Sequence, residues 1–288
     1  ASPHAPTNGL VGYWKFDEES GTTANDSSGQ GHHASGQNIV NTDWVAGKKG
    51  GAVELDGVNK RFYYADADDD LLFENASFTA AVWFKSKSDA GWRLFGKTDF
   101  VSPWIVGVGS QLDGVAGLYT RTQTDDWSAN FGFNVNDNQW HHLAWVFNIS
   151  DNLIYYFIDG NAVGTSPLNG GTWGPNQPFY IGFANVGAPN YTNGFLDELR
   201  IYDRALDDQE ILNIYYESTF VEACTSPEAE SGTMFYNRSE GIMQYCNGTR
   251  WISMGPKLTE GAAGGDTDLS PPAPSAGLVG HWPLDGNA

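Results

Sequence analysis

Cysteine is almost missing from this chain: Cys224 and Cys246 are the only two in 288 residues. They share one short polar segment, which leaves two readings, a single disulfide or a pair of buried thiols. No His or third Cys lies near them, so a metal site is disfavoured. The disulfide reading implies an oxidising compartment. Positive charge is scarce as well, with 15 Lys and Arg against 35 Asp and Glu and a formal charge of −20. No basic cluster offsets this, which excludes phosphate-backbone recognition and adsorption to anionic lipid. No apolar run approaches the roughly 20 residues needed to cross a bilayer, so no membrane insertion is expected within this stretch. The opening ASPHAPTNG carries neither Met nor a leader pattern, which points to a processed or cut end.

What is abundant is glycine and aromatic side chains: 35 Gly, 11 Trp, 13 Tyr and 16 Phe. That composition favours strands joined by tight turns. Apolar runs bounded by Gly, Asn and Asp predict strands at residues 9–16, 51–55, 62–64, 78–85, 92–96, 104–108, 117–119, 129–133, 140–148, 153–158, 179–182 and 194–202. In SFTAAVWFKS, Phe78, Ala80, Val82 and Phe84 alternate with Thr79, Ala81, Trp83 and Lys85, and both sets carry apolar groups. This predicts a central strand covered on both faces. Asp159–Gly160 predicts a hairpin turn. One helix is expected in RALDDQEILNIYYES, capped by Asp207 with Glu210 completing a capping box. The polar stretch 17–36 is read as a long functional or metal-organised loop. The fold class is therefore all-β: a two-sheet antiparallel sandwich with one short helix and a small Cys-containing hairpin module after residue 219.

The two ends repeat. Residues 5–17 read APTNGLVGYWKFD and residues 273–285 read APSAGLVGHWPLD, with eight of thirteen positions identical at an offset of 268. A tandem array accounts for this, with one full repeat followed by the start of the next. The alternative is a donor strand that completes a neighbouring copy. The implied organisation is linker 1–8, sandwich 9–218, Cys module 219–255, Pro/Gly linker 256–275, and the repeated strand 276–288.

Seven segments, in order LVGYWKFDE, NDSSGQGHHASG, GGAVELDGVNKRFYYAD, FTAAVWFKS, QWHHLAWVFN, IYYFIDGNAVG and GFLDELRIYDRALDDQEI, resemble the laminin-G-like jelly-roll domains of the concanavalin A-like lectin/glucanase superfamily. Residues 9–218 carry the resemblance. It implies two antiparallel sheets packed face to face with the first and last strands paired. The Cys segment is similar to short modules found beside such domains in bacterial surface proteins.

Some superfamily members are glycosidases, which need two carboxylates flanking a sugar cleft. The strand motif E-x-D-x-E is missing, as are G-x-S-x-G, H-E-x-x-H and phosphate-loop patterns. His141 and His142 sit where the family has structural histidines, so no catalytic residue and no enzyme are expected. A structural Ca²⁺ is expected instead, since a polar Gly-containing loop supplies the six to eight oxygens it takes. Asp26 and Gln30 offer side chains and His32 a carbonyl, with Ser28 alongside. The resemblance brings Asp197 of the last strand to the same place. The alternative is an Asx turn without metal. A second acidic run, Asp66, Asp68, Asp69 and Asp70, reads either as another ion site or as a solvated loop. Trp92, Trp104, Trp127, Trp173 and Tyr191 lie in loop-rich stretches and are candidates to stack on sugar rings.

The expected function is a non-catalytic, extracellular structural or adhesive module of a tandem-repeat bacterial surface or filament protein. Its partners would be neighbouring copies of itself or cell-surface and extracellular glycans. The alternative is a lectin-like carbohydrate-binding module, accessory to a secreted enzyme.

Overall fold

The computed structural model describes residues 4–87, 92–97, 104–109, 117–122, 126–129, 133–168, 177–186, 188–217, 234–237, 242–246 and 251–253. The chain divides into two units, of which residues 5–218 form the larger. This unit is an antiparallel two-sheet sandwich, with strands numbered here in chain order. The first sheet runs β14 (Asn161–Pro167), β13 (Leu153–Ile158), β12 (Trp140–Asn148), β7 (Phe78–Ser86), β18 (Asn193–Tyr202), β5 (Gly51–Asp56) and β4 (Trp44–Ala46). Its eighth strand, β1 (Leu10–Trp14), also pairs with β18, so the first and last strands meet as expected. The second sheet runs β11 (Asp126–Ala129), β10 (Gly117–Thr122), β9 (Trp104–Gly109), β8 (Trp92–Lys97), β15 (Phe179–Ile181), β6 (Arg61–Tyr64), β3 (Ala34–Gln37) and β2 (Thr23–Ala24). A ribbon of β16 (Phe183–Val186) and β17 (Ala188–Tyr191) follows directly from β15. Stretch 17–36, read as one polar loop, contains β2 and the start of β3. Of the strand expected at 129–133, Ala129 ends β11, Phe133 is in no strand, and 130–132 lie outside the described residues.

Aromatic rings fill the space between the sheets. Trp14 stacks on Phe179 at 5.3 Å, and Trp145 meets Phe95 edge-on at 6.0 Å. Trp104 is fully buried rather than on the solvent side. Phe78, at 4.9 Å, and Phe179, at 5.9 Å, flank it, and its indole N–H donates to the Leu71 carbonyl at 2.9 Å. Trp104 is therefore core, because its one polar atom finds a partner without reaching water.

β7 is covered on both faces. Phe78, Ala80, Val82 and Phe84 belong to the intersheet core. On the other face Ala81 packs with Ile211 and Ile214 of α1 (Asp208–Glu217), and Trp83 stacks on Tyr215 at 5.5 Å. Burying each of those isoleucines contributes about 1.5–3 kcal/mol. The helix starts where the capping box places it. The Glu210 N–H donates to Asp207 Oδ1 at 2.8 Å, and the Asp207 N–H donates to Glu210 Oε2 at 3.1 Å. The helix end is held by Arg200 of β18, whose Nη2 donates to Glu217 Oε2 (2.6 Å), Glu198 Oε2 (2.7 Å) and the Tyr13 hydroxyl (2.8 Å).

In the second unit, β19 (Met234–Asn237), β20 (Ile242–Cys246) and β21 (Trp251–Ser253) form a small antiparallel sheet. Cys224 and the side chain of Cys246 lie outside the described residues, as do 256–275 and 276–288.

His141 and His142 point to opposite environments. The ring of His141 lies 2.9 Å from Asp159 and 3.2 Å from Asp137. Burial disfavours its charge, but these two carboxylates raise its pKa overall. His142 is buried between Trp83 and Tyr215, and neither ring nitrogen has a partner among the described residues. Burial, opposed by Asp159 and reinforced by Arg200, lowers its pKa to about 3. Between that value and the ordinary 6.5 or so, the unfolded chain binds a proton at His142 that the folded chain refuses. Stability from this residue is thus complete above the ordinary value and falls with acidification, whereas His141 gains stability as it protonates. Urea midpoints measured from pH 7 to 5 are expected to fall less in His142→Leu than in the parent; equal slopes would remove this assignment.

Candidate functional site

Inward residues of β6 and β15 define the opposite face. Phe62 and Phe179 lie in the core, so Arg61, Tyr63 and Tyr180 project from the outer side of the second sheet. Beyond β15 the chain turns at Gly182, with φ of 79°, where a Cβ would sit 2.5 Å from Leu55 Cδ1. Glycine is required there, and the turn sends β16 and β17 over the same face. The ribbon is fastened to β8 by the Arg93 N–H donating to Asn190 Oδ1 (3.0 Å) and by Thr192 Oγ1 donating to the Arg93 carbonyl (2.9 Å).

Four rings gather as a result. Tyr63 and Tyr180 lie 5.5 Å apart, Tyr180 and Phe183 5.0 Å, and Phe183 and Tyr191 4.8 Å. The guanidinium of Arg61 lies 4.2 Å from the Phe183 centroid, 5.2 Å from Tyr180 and 5.8 Å from Tyr191. Its Nε donates to Gln37 Oε1 at 2.8 Å. Phe183 is buried as the floor, while Arg61, Tyr63, Tyr180 and Tyr191 are half-exposed. Flat ring faces beside an oriented donor fork suit a ring-shaped polar ligand, with C–H faces against the aromatics and oxygens toward the arginine. Of the stacking candidates read from sequence, Tyr191 belongs to this cluster. Trp92 and Trp127 have backbones in β8 and β11, but their side chains, and all of Trp173, lie outside the described residues.

The expected ion loop is organised around Asp26 by hydrogen bonds. Its Oδ1 accepts from the N–H groups of Tyr13 (2.9 Å) and Ser28 (2.8 Å). Its Oδ2 accepts from the Ser28 hydroxyl (2.7 Å) and the N–H groups of Gly31 and His32 (each 3.0 Å). Burial disfavours the charge, yet the donors from Ser28, Tyr13 and His32 outweigh it and hold the carboxyl below its usual range. The His32 carbonyl accepts from the Trp14 indole at 2.9 Å, and Gln30 is exposed. Such a carboxylate has little left to offer a metal.

Asp197 shares none of these partners. It is fully buried, and its Oδ2 accepts from the Lys49 N–H at 2.9 Å. Its Oδ1 has no hydrogen-bond partner among the described residues. Burial raises its pKa to about 8, the amides of Lys49 and Lys48 opposing and the charges of Glu198 and Asp17 reinforcing the rise. An orphaned buried carboxylate oxygen fits a hard cation at this position, although no group of three His, Cys, Asp or Glu side chains among the described residues is arranged for one.

The acidic run is divided: Asp68 and Asp70 are exposed, whereas Asp66 and Asp69 turn to a lysine. Lys97 is fully buried, and its Nζ is bound to Asp66 Oδ2 and, at 2.8 Å, to Asp69 Oδ1. Asp66 is itself buried, so the ammonium occupies the place that a second ion would take.

The geometry defines a lectin-type sandwich with one aromatic outer face. The family model for Laminin_G_3, of the Concanavalin A-like lectin/glucanases superfamily, matches residues 59–212, and the chain belongs to that family. Among solved structures it is similar to domain 4 of AbnA, a GH43 extracellular arabinanase from Geobacillus stearothermophilus, in complex with arabinotriose. There the identity is 21%, the TM-score 0.55, and the match covers 72% of this chain and 98% of that one. The binding domain of Paraclostridial Mosquitocidal Protein 1 matches at 15% identity and TM-score 0.55, over 89% of this chain and 69% of that one. Trypanosoma rangeli sialidase in complex with the inhibitor DANA matches at 17% identity and TM-score 0.51, over 73% of this chain and 33% of that one. These likenesses are of fold. No curated protein sequence matches the chain. Among the described residues no helix is long and apolar enough to cross a membrane.

Removing the internal cation should be costly. Lys97→Met leaves Asp66 buried without its counter-charge, with an expected loss of about 3–5 kcal/mol. Chemical denaturation at neutral pH checks this, and an unchanged midpoint would contradict the pairing.

Proposed function

We propose that residues 9–218 are a non-catalytic, extracellular carbohydrate-binding domain, with the saccharide seated on Tyr63, Tyr180 and Tyr191 beside Arg61. The observation that carries this reading is the aromatic cluster on the outer face of the second sheet, made of half-exposed rings that the core does not use. The arabinotriose held by domain 4 of AbnA lends support, since that domain shares the sandwich. The absence of catalysis is supported by composition. In the second sheet and its ribbon the only Asp or Glu within a strand is Asp126, whereas glycosidic cleavage needs two carboxylates. The repeat at residues 5–17 and 273–285 favours an adhesive role through multivalency, because weak sites on linked beads combine.

A structural Ca²⁺ is proposed at Asp197 rather than at Asp26. It would neutralise a carboxylate that is otherwise protonated near neutral pH, and so tie the turn at Lys48 and Lys49 to the last strand.

Tyr180→Ala is expected to weaken saccharide binding at least tenfold on a glycan microarray and in calorimetry, with the melting temperature nearly unchanged. Retained binding would move the site elsewhere. Chelator treatment is expected to lower the melting temperature of the parent but not of Asp197→Asn; equal melting with Ca²⁺ and with chelator would remove the ion.

A further inference from the structure

The second sheet departs from the charge of the whole chain. Its eight strands and the ribbon contain Arg61, Arg93, Lys97 and Arg121 but only Asp126 as a carboxylate, in a protein with 35 acidic and 15 basic residues. Lys97 points inward to Asp66 and Asp69, which leaves arginine as the cationic residue type on the rest of this sheet. Elsewhere Lys49, Lys60, Lys87 and Arg204 are drawn to carboxylates, Glu198, Asp43, Glu54 and Glu210, while Lys15, Lys48 and Lys85 each lie over a single aromatic ring.

Arg61 differs. It forms no ion pair with a carboxylate among the described residues. It lies near three aromatic rings, and Gln37 fixes its Nε, while among the described residues no hydrogen bond engages its two terminal nitrogens. A guanidinium is weakly hydrated and presents a planar pair of donors that matches a carboxylate or sulfate. Holding it beside aromatics, with no ion pair among the described residues, preorganises it for an anion brought by the ligand. A concavity of about 430 Å³ beside the start of α1 has Asp207 and Asp208 in its wall and repels such a group.

We infer that the saccharide bound on this face is acidic, a sugar bearing a carboxylate or sulfate that pairs with Arg61 while its ring lies on Tyr63, Tyr180 and Tyr191. This rests on the carbohydrate-binding reading above and names its substrate class. The chain's overall charge of −20 acts against a long polyanion at a distance. At physiological salt that field is screened beyond about 8 Å, so the contact selects acidic units singly spaced along a glycan.

Matched oligosaccharide pairs test this: galacturonate trimer against its methyl ester, and a sulfated galactan fragment against its desulfated form. On the parent protein at low salt, at least one charged member should bind at least tenfold more tightly than its neutralised partner. The advantage should shrink at high salt and vanish in Arg61→Gln, which should bind the charged and neutral members of a pair equally. Should Arg61→Gln fail to fold by circular dichroism, the comparison within each pair on the parent still decides. Equal binding of charged and neutral forms would overturn the acidic preference and leave carbohydrate binding standing. No binding to any member would overturn both.

Discussion

Pairing between the first strand and the last organises this fold. β18 lies at the centre of the first sheet with β7 and β5 on its flanks, and β1 reaches it across nearly the whole domain, Leu10 opposite Tyr202 and Trp14 opposite Leu199. Closing so long a loop is entropically expensive and must be secured by strong local contacts. Two sets supply them. Asp26 gathers donors from the strand and the following loop, and Arg200 binds Tyr13, Glu198 and the end of α1 at once. Breaking either set frees β1, and with it Trp14, which forms part of the contact between the two sheets.

Much of this was legible in the sequence because it depends on near neighbours. The alternation in Phe78–Lys85 gave a strand covered twice, and α1 is the cover. Asp207 and Glu210 marked the helix start because a capping box spans three residues. The aromatic face was not legible. Arg61, Tyr63, Tyr180, Phe183 and Tyr191 come from segments more than a hundred residues apart, and each alone reads as an ordinary strand residue. Tyr191 was singled out only for its loop-like surroundings, and the same criterion selected Trp104, which the core claims. A scarcity of Asp and Glu in particular strands of so acidic a chain was the one signal available.

Acidic loops raised a comparable ambiguity. A cluster such as Asp66–Asp70 is equally a metal loop or a solvated one in sequence, because its counter-charge can come from anywhere. For Asp66 and Asp69 it comes from Lys97, about thirty residues away on β8, while Asp68 and Asp70 remain exposed. At Asp26 backbone amides and the Ser28 hydroxyl engage both carboxylate oxygens. Of Asp26, Asp66 and Asp197, the last alone combines burial with an oxygen that has no hydrogen-bond partner among the described residues, so position in the fold distinguishes three carboxylates of similar sequence context.

The layer that carries β1 and α1 has a practical consequence. Both termini of the sandwich belong to the first sheet or to the helix packed on it, while the aromatic face belongs to the other sheet. A biotin tag, a fusion partner or a resin tether added at either end of the sandwich therefore attaches on the far layer. Such a domain can be immobilised by either terminus with its ring-lined side turned to the solution.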